Sequence, residues 1–220
     1  MPTNLEIECK FVVNPNHPEW LKIQWSQKWK RLTQSTIHKE SGYKLRIRMI
    51  EDLDTGERSS FFCFKVSKKW DKHDPSIRDE YEWPVPDRNA LYMMIGHGEI
   101  SKIRRLYTDA TGLSCEIDEY EGINAGIITA DIEFHGGIVS DVLPLFLGSE
   151  VTSNLHLSNS TLQIPENAYN TWIPEMKLWY QSLQDGTGVA LKEPVPWEVK
   201  KSKSFWKRLR KAWKVLRGEE

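Results

Sequence analysis

Short segments in which charged and apolar residues alternate recur along the chain, and this pattern restricts the fold more than any other feature. In the first, LEIECKF (5–11), Glu6, Glu8 and Lys10 alternate with apolar residues. Because successive side chains of a strand point to opposite faces, the pattern predicts a strand with one ionic and one apolar face. The same pattern predicts strands in six further segments: 43–51, 61–69, 77–85, 100–108, 113–122 and 128–136.

The charged positions of these segments are sorted by sign. Cations alone occupy the polar positions of three segments: 44–48, 65–69 and 102–104. Carboxylates predominate in three others: 80–82, 116–118 and 131–133. In most antiparallel sheets the polar face simply meets water. Here long ionic side chains of one sign fill nearly every polar position of a strand, which favours an enclosed ionic surface over separate wet faces.

An antiparallel sheet of this length can close into a barrel of about eight strands. We therefore predict an α+β, mainly β fold: a closed eight-stranded antiparallel β-barrel with flanking helices, charged side chains in the bore and apolar ones outside. Buried ions are unfavourable unless they are paired or bind a charged ligand. Cations that hold phosphate oxygens, beside carboxylates that hold Mg²⁺ or Mn²⁺, suit a polyphosphate bound with a divalent metal.

Other local patterns predict the connecting elements. Residues 52–60 read as the turn of a hairpin between 43–51 and 61–69. Segment 17–32 predicts a helix that places Trp20 and Ile23 inward. Three further elements are expected: a helix at 88–96 capped by Asp87, a helix at 141–148, and a last short strand near 157–165.

The composition excludes several classes of protein. Three cysteines without a CxxC pair argue against a disulfide framework or a zinc ribbon, and favour the reducing cytoplasm. No apolar run approaches the ~18 residues of a membrane-spanning helix, and the amino end lacks a signal-peptide pattern. The GxxxxGK[ST], HExxH and GxSxG motifs are absent from the sequence, which argues against P-loop enzymes, zinc proteases and serine hydrolases.

An acidic body precedes a basic carboxyl-terminal tail. Residues 200–220 hold nine Lys and Arg against two Glu, a net charge of +7, and the remaining residues carry −8. After a helix and linker at 166–203, segment 204–218 predicts a basic amphipathic helix. Three interpretations of this helix stay open: docking on the barrel or on a second copy in a homodimer, binding at an anionic membrane surface, and binding of an acidic partner or nucleic acid.

The ordered segments resemble the CYTH superfamily, the triphosphate tunnel metalloenzymes. The family's ExExK signature corresponds to EIECK (6–10), and LRIR, FKVSKK, RDEYEW, SKIRRLY, CEIDEYEG and ADIEF follow in the family's order. The resemblance covers roughly residues 1–165, which we assign to one tunnel domain. It implies an eight-stranded antiparallel tunnel that acts on a triphosphate together with a divalent metal.

The resemblance also implies a role for each matching residue. The expected metal ligands are Glu6, Glu8, Glu133 and Asp131. The expected phosphate-binding cations are Lys10, Arg46, Arg48, Lys65, Lys102 and Arg104. Glu116 and Asp118, with Lys10, are the expected catalytic residues, holding a second metal or orienting the attacking water. Glu80 and Glu82 are expected to pair with the cations.

One segment departs from the family pattern. Many hydrolytic members carry a run of Lys and Arg before an Asn near the last strand, whereas this chain has NLHLSNSTL (154–162), in which Asn159 matches. We expect a metal-dependent hydrolase of a triphosphate, with inorganic triphosphate as the first candidate substrate. The alternatives are an adenylate cyclase of the class IV type and a non-catalytic sensor that binds a triphosphate-bearing molecule.

Overall fold

A computed structural model describes residues 5–26, 29–40, 42–67, 77–133, 143–152, 154, 157–163 and 182. Nine strands run through these residues: β1 (Leu5–Val13), β2 (Trp29–Glu40), β3 (Tyr43–Asp52), β4 (Arg58–Ser67), β5 (Ile77–Val85), β6 (Ile100–Thr108), β7 (Ser114–Tyr120), β8 (Ile128–Glu133) and β9 (Leu147–Glu150). The helices of the described residues are α1 (Pro18–Ser26), α2 (Asp87–Met94) and α3 (Asn159–Leu162), with a 3₁₀ turn at Gly122–Asn124.

The nine strands form one mainly antiparallel sheet in the order β5-β4-β3-β2-β6-β7-β8-β1-β9. All of the pairings between neighbours are antiparallel. An additional antiparallel pairing joins β1 to β5, with Leu5, Glu6 and Ile7 opposite Asp79, Arg78 and Ile77. The strand that opens the chain therefore pairs with β8, β9 and β5.

Apolar residues of alternate positions form the main core under α1. Trp20 and Ile23 of that helix are 1% and 5% exposed and pack on one face of β1, β7 and β8. The strand residues that meet them include Phe11, Ile117 and Ile132. Because strand side chains alternate, the residues between these positions, such as Lys10 and Asp131, lie on the opposite face of the sheet.

A second apolar cluster packs under α2. Ala90 and Met94 are buried against Ile47 of β3, with Phe62 and Val85 beside them. The apolar faces of the sheet are thus covered by helices at two places, which leaves the ionic side chains together on the other face.

All seven segments of alternating charge are strands in the structure: β1, β3, β4, β5, β6, β7 and β8. The predicted hairpin is formed by β3 and β4, which pair from Tyr43 opposite Val66 to Glu51 opposite Arg58. The predicted inward positions of Trp20 and Ile23 are also confirmed.

The predicted helix at 17–32 is wrong in its second half. The helix ends at Ser26, and β2 begins at Trp29 and pairs with both β3 and β6. The buried polar positions of β2 carry Gln34 and Ser35 rather than ions, so the strand lacks the ionic alternation of its neighbours. Because the inner face of β2 is neutral, the sequence pattern did not distinguish this strand from the preceding helix.

Four smaller predictions also need correction. The sheet has nine strands rather than eight: β2 and β9 are added to the seven ionic strands, and the last predicted strand is missing. Strand β9 (Leu147–Glu150) forms where the end of a helix at 141–148 was expected. The expected last strand near 157–165 is helix α3, whose amino end is capped by the Ser158 hydroxyl, which accepts a hydrogen bond from Thr161 N. Asp87 does not cap α2: Pro86 holds that position, and Asp87 instead accepts a hydrogen bond from the Ser60 hydroxyl at 2.7 Å.

The carboxyl-terminal predictions lie outside the described residues. These are the helix and linker at 166–203, apart from Ser182, and the basic helix at 204–218. In the part of the chain that is described, no helix combines the length and the hydropathy that crossing a membrane requires.

Ile117→Ala should destabilise the fold by about 2–5 kcal/mol, because Ile117 is fully buried between α1 and the sheet and its truncation leaves a cavity. Leu106→Ala on the neighbouring strand is the control, since Leu106 is 57% exposed and its loss should cost under about 1 kcal/mol. Urea unfolding measures both. Equal losses would show that the core does not lie where the structure puts it.

Candidate functional site

A cavity of about 530 Å³ lies on the ionic face of the sheet. Seven cations line it: Lys10, Lys39, Lys44, Arg46, Arg48, Lys65 and Arg104. Six carboxylates line it: Glu8, Glu40, Glu80, Glu82, Glu116 and Asp131. The predicted sorting of charge by strand holds for the lining residues of β3, β4, β5, β6, β7 and β8, whereas β1 and β2 each contribute both signs.

The wall built by β3, β4 and β5 joins cations to carboxylates across neighbouring strands. Arg46 Nη2 donates to Glu80 Oε1 at 2.6 Å, and Lys65 Nζ lies 2.7 Å from Glu80 Oε2. Arg48 pairs with Glu82. The expected pairing of Glu80 and Glu82 with the cations is thus present. The carboxylates offset the charge of three cations that would otherwise repel one another in a confined space.

The wall built by β1 and β8 holds Lys10 against Asp131. The Lys10 ammonium lies 2.6 and 2.7 Å from the two Asp131 oxygens. Burial raises the pKa of Asp131 to about 6; Lys10 lowers it, and the neighbouring Glu8 and Asp118 raise it. Burial works against the charged form of Lys10, but the surrounding carboxylates, Asp131 first, raise its pKa. Two carboxylates, Glu8 and Asp131, thus line the cavity beside one ammonium, Lys10, at this wall.

The wall built by β6 and β7 contains a buried ionic cluster. Arg104 grips Asp118 with two hydrogen bonds, Nε to Oδ1 at 2.7 Å and Nη2 to Oδ2 at 2.8 Å, and it also pairs with Glu116. Lys102 Nζ pairs with Asp118 Oδ2, the oxygen that also accepts the hydrogen bond from Arg104 Nη2. Burial by itself would raise the pKa of Asp118, but Arg104 and Lys102 outweigh it and hold the pKa well below its usual range.

Lys102 and Asp118 lie beneath the cavity rather than on its surface. Both side chains are fully buried, and neither lines the cavity. Burial, with the like charges of Arg104 and Lys10, lowers the pKa of Lys102 to about 8 in spite of Asp118. Of the predicted phosphate-binding cations, five line the cavity and Lys102 supports them from below. Of the predicted catalytic pair, Glu116 lines the cavity and Asp118 positions Arg104.

The four predicted metal ligands come from β1 and β8. Glu8 and Asp131 line the cavity. Glu133 stands directly opposite Glu8 in the strand register, and Glu6 stands opposite Arg78 of β5, but the side chains of Glu6 and Glu133 lie outside the described residues. The register thus places one carboxylate-bearing position of β8 beside Glu8, as the prediction requires, without defining a coordination sphere.

Another group of three potential ligands occurs on a different wall. Cys63, Glu80 and Glu82 bring one ligand atom each to within 4.8 Å of one another. Burial raises the pKa of the Cys63 thiol, which donates a hydrogen bond to Glu82 Oε1 at 3.1 Å. Because the thiol keeps its proton and cations already neutralise both carboxylates, this group is better described as part of the ion-pair network than as a metal site.

Neutral polar residues form the part of the cavity wall that sequence reasoning missed. Gln34 and Thr36 of β2 line it, as do Thr152, Asn154 and Ser158 near the carboxyl end of the described chain. The two threonines of TQST (33–36), a residue type that is enriched in strands, were the signal available for β2. The residues near 154–158 carry no strand periodicity, and only their fold brings them to the cavity.

Asn159, which the family pattern had singled out, also lines the cavity. Its Oδ1 accepts a hydrogen bond from the Tyr120 hydroxyl at 2.7 Å. Burial raises the pKa of Tyr120, so the phenol keeps the proton that it donates. The fixed carbonyl leaves the Asn159 amide nitrogen as a donor, and no described residue accepts from it.

No family model and no curated protein matches the sequence. Among solved structures, the inorganic triphosphatase NE1496 is 20% identical with a TM-score of 0.47, over 73% of this chain and 95% of its own. A conserved hypothetical protein from Pyrococcus furiosus is 18% identical with a TM-score of 0.43, over 89% and 97%. A putative adenylyl cyclase from Hippeastrum, described as having a dominant triphosphatase activity, is 15% identical with a TM-score of 0.38, over 59% and 79%. At these identities the substrate of this chain has to be inferred from its own side chains.

Asp118→Asn should destabilise the protein by about 3–5 kcal/mol, because it leaves Lys102 charged and buried without its counter-ion. The loss of stability should be largest near pH 6 and smaller near pH 8, because a neutral Lys102 amine needs no counter-ion. A Lys pKa that is lowered in the folded protein makes stability rise with pH. Urea unfolding at several pH values measures this.

The double variant Asp118→Asn/Lys102→Met is the matched control for this effect. It removes both charges, so it should recover part of the lost stability and lose the pH dependence between pH 6 and 8. A double variant less stable than Asp118→Asn at pH 6 would contradict the role of Asp118 as the counter-ion of Lys102.

Proposed function

We propose that this chain binds a triphosphate-containing small molecule with a divalent cation in the cavity and hydrolyses it, with inorganic triphosphate as the first candidate substrate. The observation that carries the proposal is the arrangement of seven cations and six carboxylates around about 530 Å³. Cations held in place by buried partners suit a ligand with several phosphate oxygens. An apolar ligand could make no ionic contact with these groups, and a singly charged one could contact only a few of them.

We infer that the sheet closes around this cavity through the pairing of β1 with β5. In the sheet order β5 is the first strand and β1 is the eighth, and this pairing joins the two. A ring of eight strands with β9 added outside it would explain why side chains of β1, β3, β5, β6 and β8 line one cavity. Closure matters for function because water exclusion strengthens every ionic contact with a bound phosphate.

The carboxylates of β1 and β8 fit a hard divalent cation. Mg²⁺ and Mn²⁺ prefer oxygen ligands, and Glu8 and Asp131 offer them on one wall, with Glu6 and Glu133 on the same strands. Glu8 and Asp131 share this wall with Lys10, so a divalent cation would bind beside two carboxylates and a single ammonium of the cavity lining. When bound, such an ion would neutralise phosphate charge and help to orient the substrate.

Binding of the phosphates takes place by exchange of partners. Arg46, Arg48 and Lys65 turn from the carboxylates of Glu80 and Glu82 to the phosphate oxygens, and the carboxylates keep the cations in place until then. The Asn159 amide adds a neutral donor at the other side of the cavity. Arg104 stays fixed by Asp118 and presents a rigid positive charge.

The chemical step is attack by water on a terminal phosphorus, with loss of the bond to the bridging oxygen and release of pyrophosphate from triphosphate. Glu116 orients the water: Arg104 holds its Oε2, while no described residue bonds to its Oε1. Lys10 offsets the charge that builds up on the leaving oxygen. In such reactions the protein acts chiefly through positioning and charge neutralisation.

Binding without turnover is the second candidate function. Ser158 and Asn159 line the cavity in the segment where hydrolytic relatives of the resembled family carry a basic run. Fewer cations at that position weaken the stabilisation of charge in the transition state more than they weaken binding of a ligand held elsewhere. A sensor of a triphosphate-bearing molecule would keep the other walls as they are.

The purified protein should release phosphate from inorganic triphosphate with Mg²⁺ or Mn²⁺, and a chelator should abolish the release. ATP and thiamine triphosphate complete the substrate panel. Glu8→Gln should lower the rate by orders of magnitude, because it removes a proposed metal ligand, whereas Glu57→Gln in an exposed turn should not. Cyclic AMP from ATP would point to a cyclase, and tight binding without any product would favour the sensor.

Arg48→Gln should lower kcat/KM for triphosphate by roughly 30- to 1000-fold, the loss expected for about 2–4 kcal/mol of transition-state stabilisation. The matched control is Arg58→Gln, since Arg58 is 60% exposed and pairs with Glu51 outside the cavity. Steady-state kinetics compare the two. A similar loss in both variants would place the phosphate site elsewhere.

A further inference from the structure

The outer face of β3, β4 and β5 presents a row of apolar side chains that we name the aromatic face: Leu45, Phe62, Phe64, Tyr81 and Trp83. Tyr81 and Trp83 are 41% and 49% exposed. Their rings stack with centroids 6.2 Å apart, and Phe64 and Phe62 contact them from the neighbouring strand at 6.4 and 5.9 Å. Contiguous aromatic surface of this kind usually marks a place where another segment or protein packs.

Helix α2 covers only one end of this surface. Its buried residues Ala90 and Met94 pack on Ile47, with Phe62 and Val85 beside them. In the sheet register, the neighbouring row on the same outer face consists of Leu45, Phe64 and Tyr81. Among the described helices, α2 packs on β3 and β4 and leaves this row uncovered. A second helix could therefore lie on the row, beside α2.

The described chain reaches the border of this uncovered row at Gln163. The Gln163 amide donates to the Ser35 hydroxyl at 3.3 Å and to the Thr36 carbonyl at 3.0 Å. Gln34 and Thr36 line the cavity, so Ser35 between them faces outward. Gln163 therefore sits on the outer side of β2, where Ser35 stands opposite Ile47 of β3.

A few residues suffice to carry the chain from there across the aromatic face. Neighbouring strands lie ~4.8 Å apart, so β5 is roughly 15 Å from β2. An extended chain spans ~3.3 Å per residue, and about five residues cover that distance. Segment 164–168 supplies five residues before the next apolar pattern begins.

That pattern has helical spacing. Met176, Trp179 and Leu183 follow one another at intervals of three and four residues, which places them on one face of a helix. Pro174 is tolerated in the first turn of a helix but not in its interior, so we expect this helix to begin at Pro174. Ser182, the residue of this stretch that the structure describes, is helical and partly buried. We propose that the helix that begins at Pro174 within segment 169–183 packs its Met176–Trp179–Leu183 stripe on the aromatic face, beside α2.

This occupant fits the surface better than the basic tail does. The aromatic face consists of uncharged side chains, which offer no counter-ions to the cations of 204–218. The tail is also separated from Gln163 by 40 residues, whereas 169–183 follows within six. The proposal does not depend on turnover in the cavity, because the two surfaces lie on opposite faces of the sheet.

Hydrogen exchange of the full chain, read by mass spectrometry, tests the proposal. In the wild-type protein the amides of 175–183 should exchange at least about tenfold more slowly than an unstructured peptide of that sequence. Tyr81→Ala should remove most of this protection. Tyr92→Ala is the matched control and should leave it unchanged, since Tyr92 is 77% exposed on α2. Unchanged exchange in β6 and β7 verifies that each variant is folded.

The reciprocal substitution gives a second measurement. Trp179→Ala should speed exchange in β4 and β5, whereas Trp197→Ala, in the following linker, should not. Wild-type exchange of 175–183 at the unstructured rate, or protection that survives Tyr81→Ala, would overturn the proposal. A dimer in sedimentation experiments that Tyr81→Ala dissociates would also overturn it, because a second copy would then cover the face. Faster exchange in β4 and β5 after truncation at Lys200 would do the same, because the basic tail would then be the occupant.

Discussion

Neutralisation of ions inside a sheet is the constraint on which this structure depends. The side chains of Lys102 and Asp118 are both fully buried, and Arg104 adds two further hydrogen bonds to the same carboxylate. A buried charge without a partner would cost several kcal/mol, so these strands are stable only in a register that brings opposite signs together. The outer apolar cores drive the sheet to form, but the ionic contacts restrict which strands can be neighbours.

The same constraint explains the order of the walls. Cationic β3 and β4 lie beside anionic β5, and cationic β6 lies beside anionic β7. Lys10 of the mixed strand β1 finds Asp131 on β8. The counter-ions of β4, β6 and Lys10 thus lie on an adjacent strand, and those of Arg46 and Arg48 lie two strands away, on β5. Side chains held by such pairs are already in place when a ligand arrives, which reduces the cost of ordering them.

The two-residue period predicted the face of each ionic side chain but not its height along the strand. It identified seven strands and the residues that point inward, including Lys102 and Asp118. Whether an inward side chain reaches the cavity depends on how the strands are staggered, and a two-residue period gives no information about stagger. Lys102 and Asp118 point inward but lie below the cavity. Strand β2 escaped prediction because Gln34 and Thr36 are neutral, and α3 because one capping serine decides it locally. Metal binding by Glu6, Glu8, Asp131 and Glu133 stays a prediction from the sequence.

The carboxylates that hold Arg46, Arg48 and Lys65 have a consequence for how affinity responds to ionic strength. A bare cationic cavity would gather anions from solution and release them when a polyphosphate entered, which makes affinity fall steeply with added salt. Here Glu80 and Glu82 already occupy those cations as tethered anions that cannot diffuse away. Few mobile ions would be released on binding, so the affinity for polyanions should vary only gently with salt, and small anions such as chloride or sulfate should compete poorly.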